Sequence, residues 1–454
     1  MSRSGRRLSR REFLKDTGVG LAALGLSGRA PASARQLSLP LPAESGIDHV
    51  IVAMMENRSF DHFFGSLSLA EGKPVNGLTG LETNPDPTGA LISPFVLDDF
   101  TPEDPPHGWD AVHRQWNEGA MDGFVTEHAG ASQNQVMGFH LRGQLPAIYG
   151  LADQFALCDA WHCSVMGPTW PNRYYLHGAT SNGLTSNVPA LGFKNVFDVL
   201  TAAGVPSRTY FHDLAFQAGY LNFNGLAPIE QYFQDAQSGT VPAFTVIDPK
   251  FQGNDANDDH PDHDVQLGQA LIASIYAALA ASPQWGRMLF VVTYDEHGGF
   301  FDHVPPPECA DERADFRRLG VRVPGVVAGP MVRAGSVVST TFDHSSIIAT
   351  LTTRYGLEPM TARSAAANDL SSCIDPALIA QPRSAPRLAP VTISLGKLRA
   401  KLAQPIQRRL QPELQALADH GEMPRHLDRR AEGPDVTRRV LEAGQRLGAL
   451  RLTN

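Results

Sequence analysis

Cysteine is scarce: four residues, Cys158, Cys163, Cys309 and Cys373, in a chain of 454. Their spacing fits no zinc-binding pattern, and a chain of this length builds a sizeable core without staples. A small disulfide scaffold and a structural zinc module are thereby excluded, although an oxidising compartment would permit one or two disulfides. No run of about 18 apolar residues occurs, so there is no candidate transmembrane helix. Basic residues are also in deficit, with 38 Lys and Arg against 47 Asp and Glu. Seven of those basic residues and only two of the acids lie in positions 1–34, so the remainder carries −14 rather than the −9 of the whole chain. A nucleic-acid binder needs a basic stripe, and strong docking on an anionic membrane needs the same sign of charge; both are disfavoured. Internal repeats are missing too. The 41 Gly and 34 Pro are dispersed, which points to many ordered loops rather than low complexity.

What is present begins with an address. Ser9-Arg10-Arg11-Glu12-Phe13-Leu14-Lys15 precedes an apolar stretch, Gly18 to Leu26, and then Ala32-Ser33-Ala34. A basic segment, a short apolar segment and a small-residue cleavage site in that order make a signal peptide, and the paired arginines make it twin-arginine in type. Residues 1–34 are therefore expected to be removed after export by the twin-arginine machinery. The mature protein is expected in the periplasm or outside the cell.

Two short runs rich in β-branched and aromatic residues, residues 48–55 and Met288 to Tyr294, read as buried parallel strands. Each ends in polar groups: Glu56-Asn57 after the first, Asp295-Glu296 after the second. Sites in open α/β sheets form at such strand ends. A third strand is expected over residues 320–328. Helices are expected over 264–281, as a crossover, and over 345–355. Residues from about 68 to 135 read as loop-rich. The expected organisation is a catalytic domain over 35–392, followed by a charged, helical extension over 393–454 that forms a surface appendage.

Three clusters carry chemistry. In the first, Glu56 and Asn57 offer hard oxygen ligands, suited to calcium, magnesium, manganese or zinc; Asn57 or Ser59 could equally cap a helix. In the second, Asp295, Glu296 and His297 precede Gly298 and Gly299, which would let backbone approach a ligand closely, and His303 follows. In the third, Thr169 stands between Pro168 and Pro171, a hydroxyl in a fixed backbone shape that becomes a nucleophile when a metal lowers its pKa. There, Asn172 could bond a phosphoryl oxygen, and Arg173 could pair with a phosphate or with a structural carboxylate. The remaining candidates are His107, His212 and the dense run Asp258 to Asp264, which contains His260 and reads otherwise as a polar loop capping the helix behind it.

Taken in order, Glu56-Asn57-Arg58-Ser59-Phe60-Asp61-His62, Pro168-Thr169-Trp170-Pro171-Asn172-Arg173 and Thr293-Tyr294-Asp295-Glu296-His297-Gly298-Gly299 resemble the phosphoesterase family of bacterial and plant non-specific phospholipases C and related acid phosphatases. The resemblance runs from about Ile47 to Tyr355. It implies an alkaline-phosphatase-like three-layer α/β/α sandwich on a mostly parallel central sheet. It also implies a divalent metal held by Glu56, Asn57, Thr169, Asp295 and Glu296, with Thr169 as nucleophile and His107, His260 and His303 near the phosphate. Asn172 and Arg173 are expected to bind substrate. The expected reaction is phospholipase C cleavage of a phospholipid, such as phosphatidylcholine, to diacylglycerol and phosphorylated headgroup, with transient contact at the membrane surface. The alternatives are an acid phosphatase acting on small monoesters and a non-catalytic exported protein that binds metal or lipid.

Overall fold

The computed structural model describes residues 44–404 and 411–454, so the expected signal peptide lies outside the described residues. Eight strands form one sheet: β1 His49–Met55, β2 Ala156–Cys158, β3 Ser207–Phe211, β4 Leu226–Pro228, β5 Phe244–Asp248, β6 Met288–Tyr294, β7 Gly325–Ala328 and β8 Ser336–Val338. Their order is β8-β2-β7-β6-β1-β5-β3-β4. Only β7 runs antiparallel to its neighbours, so the sheet is mostly parallel, as expected.

The central strands form because their residues suit burial on both faces. Val50 to Met55 and all of β6 are buried, and β-branched side chains pack well on a pleated surface. Helices fall into two sets. Pro146–Gln154, Ile229–Ser238, Val265–Ala280 and Gly433–Arg446 pack together; Thr169–Gly178, Val196–Ala202 and Ser345–Tyr355 pack together. Strand β3 touches one helix from each set, Val196–Ala202 and Ile229–Ser238, so the sheet lies between two helical layers. The α/β/α architecture is thus as the sequence implied. Among the described residues no helix is long and apolar enough to cross a membrane.

Two expectations need correction. The strand expected over 320–328 shortens to Gly325–Ala328. Pro324 lacks a ladder donor, and Arg322 is drawn into an ion network, with Nε 2.8 Å from Asp302 Oδ1. The C-terminal stretch is not a surface appendage. Val391–Ser394 pairs in parallel with Leu450–Thr453, and Gly433–Arg446 packs on Val265–Ala280. The helix is amphipathic: Val436, Val440 and Leu441 are buried while Arg438 and Glu442 face water and pair with each other. The four cysteines are free thiols; Cys158 and Cys373 are buried with sulfurs 3.9 Å apart.

Candidate active site

Register places the first two clusters together. β1 pairs with β6 so that Met55 lies opposite Tyr294, and Glu56 and Asp295 therefore leave the sheet side by side. Asn57 turns left-handed there, with φ 62°, a region asparagine tolerates better than most residues. Its backbone N–H donates to Asp295 Oδ1 at 3.0 Å. The two glycines act differently from the expectation. Gly298 has φ 66°, and a Cβ there would stand 2.2 Å from the Asn57 carbonyl oxygen; a Cβ on Gly299 would stand 2.7 Å from Pro106 O. They bring loop against loop rather than backbone against ligand. Gly298→Ala is expected to destabilise the fold by about 2 kcal/mol or more, through φ strain and a backbone clash. Urea unfolding measures this, and an unchanged midpoint would contradict the close approach.

The third cluster opens the helix Thr169–Gly178, with Pro168 extended ahead of it. Asn172 does not reach out to a substrate. Its Oδ1 accepts from Val165 N at 3.0 Å, and its Nδ2 donates to Gly167 O at 2.8 Å and Pro168 O at 3.2 Å. The side chain staples the turn that presents Thr169. Arg173 lies one turn after Thr169 on the same helix face. It too is engaged by protein: Nη2 is 3.0 Å from Glu56 Oε1, Nε is 3.2 Å from Asp295 Oδ2, and Nη1 is 3.6 Å from Asp248 Oδ1. The rings of Phe216 and Phe251 lie against its guanidinium. The expected substrate-binding pair is therefore a turn staple and a buried counter-ion, because both side chains point into the protein and find partners there.

One guanidinium faces three buried carboxylates, and the electrostatics follow. Burial drives the Glu56 carboxyl well above its ordinary range, with Arg173 opposing and Asp295 and Asp258 adding to the rise. Burial likewise lifts Asp295 to about 7 and Asp248 to about 6, each against the pull of Arg173. Such a cluster favours an added cation. The hydrogen bonding points the same way. Glu56 Oε2, both amide atoms of Asn57, Glu296 Oε1 and Asp258 Oδ2 are buried without a hydrogen-bond partner. Buried polar atoms are almost always bonded, so unpartnered hard oxygens at one strand edge fit a divalent cation. Asp295 contributes less openly, since Oδ1 accepts from Asn57 N and Glu296 N while Oδ2 faces Arg173.

The histidines divide. His107 Nε2 lies 3.9 Å from Glu296 Oε1, and its Nδ1 lies 3.3 Å from Asp104 Oδ1. Burial alone would lower its pKa, but these two acids outweigh burial and hold it at about 10, so the ring carries a proton at neutral pH. His260 stands beside it, rings 5.8 Å apart, with its pKa lowered by burial. Asp104, His107 and His260 bring ligating atoms within 4.8 Å of one another and could themselves hold an ion. His303 is not brought to this edge. Its Nδ1 pairs with Asp61 Oδ2 at 2.6 Å and its Nε2 with Asn76 Oδ1 at 3.1 Å, because the turn at Gly298-Gly299 carries the chain away. Asp61, Asp302 and His303 also bring ligating atoms within 4.8 Å of one another, but Arg322 already sits among them and balances their charge. His212 lies behind the site, with Nδ1 2.8 Å from Asp248 O.

Sequence reasoning missed Asp248, Asp104 and Gln411, which donates to Glu56 Oε1 at 2.9 Å. Asp248 had the same signal as the others, an acid at the end of a strand; the other two had none.

The sequence profile of the Phosphoesterase family matches residues 47–358, which span all three clusters. The chain belongs to the phosphoesterase family. It is a phosphoric ester hydrolase. Among its relatives, non-specific phospholipase C6 of Arabidopsis thaliana is 36% identical over 411 residues, 80% of this chain and 79% of that one. Phospholipase C A of Mycobacterium tuberculosis is 31% identical over 427 residues, 77% of this phosphoesterase and 81% of its own length. A solved protein of the alkaline phosphatase superfamily from Vibrio parahaemolyticus superposes with a TM-score of 0.39 at 10% identity, covering 72% of this chain and 71% of that one.

Proposed function

We propose that this phosphoesterase is a divalent-metal-dependent phospholipase C that cleaves the phosphodiester between diacylglycerol and the headgroup through Thr169. The observation that carries the reading is the group of unpartnered buried oxygens on Glu56, Asn57 and Glu296 beside the helix that Thr169 opens. The names of the relatives supply the lipid. Glu56 and Asn57, with Thr169, Asp295 and Glu296, would hold a divalent cation, whose Lewis acidity would favour ionisation of the Thr169 hydroxyl and polarise a phosphoryl oxygen.

The chain's own groups do the rest. Thr169 attacks phosphorus in line, and Asn172 keeps its turn fixed while it does so. His107, which faces Glu296 and Asp104, donates a proton to the departing diacylglycerol oxygen. His260, its pKa lowered by burial, takes a proton from the water that frees the headgroup phosphate from Thr169. Arg173 offsets the charge of Glu56 and Asp295 from behind the site. The lipid is met at a membrane surface, transiently, since the protein's net charge is acidic.

The test uses purified mature protein with phosphatidylcholine and p-nitrophenyl phosphate side by side, each with and without EDTA. Diacylglycerol release that EDTA abolishes is the expected result. Cleavage of the monoester alone would make the enzyme a phosphatase with the same site, and activity on neither would leave a binding protein. Export is tested separately. Arg10→Lys with Arg11→Lys is expected to trap precursor in the cytoplasm, read by fractionation and blotting; normal export of that variant would contradict a twin-arginine address.

A further inference from the structure

The match to the family ends at residue 358, yet one side chain from beyond it touches the site. Gln411 bridges two of its parts: Nε2 donates to Glu56 Oε1 at 2.9 Å, and Oε1 accepts from Trp170 Nε1 at 2.6 Å. Trp170 follows Thr169 at the start of the helix. A single amide, 355 positions beyond Glu56 in sequence, thus links the acid at the end of β1 to the turn that carries the nucleophile.

The placement of Gln411 is over-determined. It is buried, and its backbone is left-handed, at φ 52° and ψ 50°, a region that side-chain-bearing residues occupy when their surroundings demand it. The helix it opens, Pro412–Asp419, buries Leu414 and Leu417 in an apolar cluster with Trp170, Phe216 and Phe251. Two of those rings, Phe216 and Phe251, also lie against the Arg173 guanidinium. An amide is neutral, so it orients Glu56 without cancelling its charge. With Oε1 held between Arg173 Nη2 and Gln411 Nε2, the oxygen left without a protein donor is Oε2.

We infer that Gln411 is a positioning residue, which fixes the rotamer of Glu56 and the start of the Thr169 helix, and that the C-terminal segment is part of the catalytic apparatus. The inference rests on the reading of Glu56 and Thr169 as site residues. Gln411→Leu keeps a branched apolar side chain in the buried position and removes both hydrogen bonds. Gln411→Asn keeps an amide too short to bridge both partners. Leu414→Ala serves as the control, weakening the same apolar packing while leaving the Gln411 hydrogen bonds to Glu56 and Trp170 in place.

The probe is bis(p-nitrophenyl) phosphate, which reports diester hydrolysis whatever the natural headgroup. Measurements are kcat and KM, the EDTA concentration at which bound metal is lost, and the melting temperature. Both Gln411 variants are expected to lose about tenfold in kcat with KM within about twofold, and to release metal at lower EDTA. Leu414→Ala is expected to melt earlier and keep the wild-type kcat. In the double variant with Trp170→Phe, the loss should be smaller than the product of the two single losses, because both act through one bridge. Wild-type kcat and metal retention in Gln411→Leu would overturn the inference, as would a loss that Leu414→Ala reproduces. A wild-type enzyme that cleaves the reporter but not phosphatidylcholine removes the lipid reading, and one indifferent to EDTA removes the metal reading. In either case the kcat comparison still decides the role of Gln411.

Discussion

Thr169→Ala is expected to lose turnover by about 10⁴-fold or more while keeping its melting temperature and its ability to adsorb substrate. The size of the effect follows from the site. No other hydroxyl opens the helix beside Glu56 and Arg173, and Asn172 holds the preceding turn through three hydrogen bonds. Thr169 is buried, but alanine is the better helix former and removes only a methyl and a hydroxyl, so the fold should tolerate it. Thr169→Ser retains the nucleophilic atom and should recover much of the rate. Steady-state kinetics on a phosphodiester checks both variants, and full activity in Thr169→Ala would remove the proposed nucleophile.

Arg173→Met should be the most destabilising single change at the site. It leaves the buried carboxylates of Glu56, Asp295 and Asp248 facing one another without their shared counter-ion. Removing one partner of a buried ion pair costs about 3–5 kcal/mol, and here three partners are left. Lysine is a poor substitute because a point charge cannot match a planar fork that meets Glu56, Asp295 and the Met54 carbonyl together. Urea unfolding of metal-free protein measures the loss. A change below about 1 kcal/mol would contradict the role of Arg173 as their shared counter-ion. Added divalent metal should restore part of the stability in this variant, since a cation would then be the only counter-charge left among the carboxylates.

The sheet's centre was legible because β1 and β6 are apolar runs rich in β-branched residues, and the acids that follow them fall where parallel strands end. Asp248 sits on the same edge but is the last residue of a strand of only five, Phe244–Asp248, a weaker pattern. Spacing put Thr169 and Arg173 on one helix face, yet it could not say what faces them. The expected phosphate partner turned out to be Glu56 and Asp295. His303 was drawn in by its nearness in sequence to Asp295, whereas two glycines with positive φ turn the chain toward Asp61. The contacts of Asp104 and Gln411 depend on packing between distant segments, and no local pattern announces them. The charged composition of the C-terminal stretch hid the apolar face of Gly433–Arg446, which a helical period of the same residues already contains.

On the proposed reaction, Thr169 carries the headgroup phosphate during turnover. Mixing excess enzyme with phosphatidylcholine, quenching in acid within one turnover and mapping the peptides by mass spectrometry tests it most directly. A phosphorylated headgroup is expected on the peptide that contains Thr169, lost on longer incubation and never formed in Thr169→Ala. A modified peptide elsewhere, or diacylglycerol released with no modified peptide at any quench time, would contradict it.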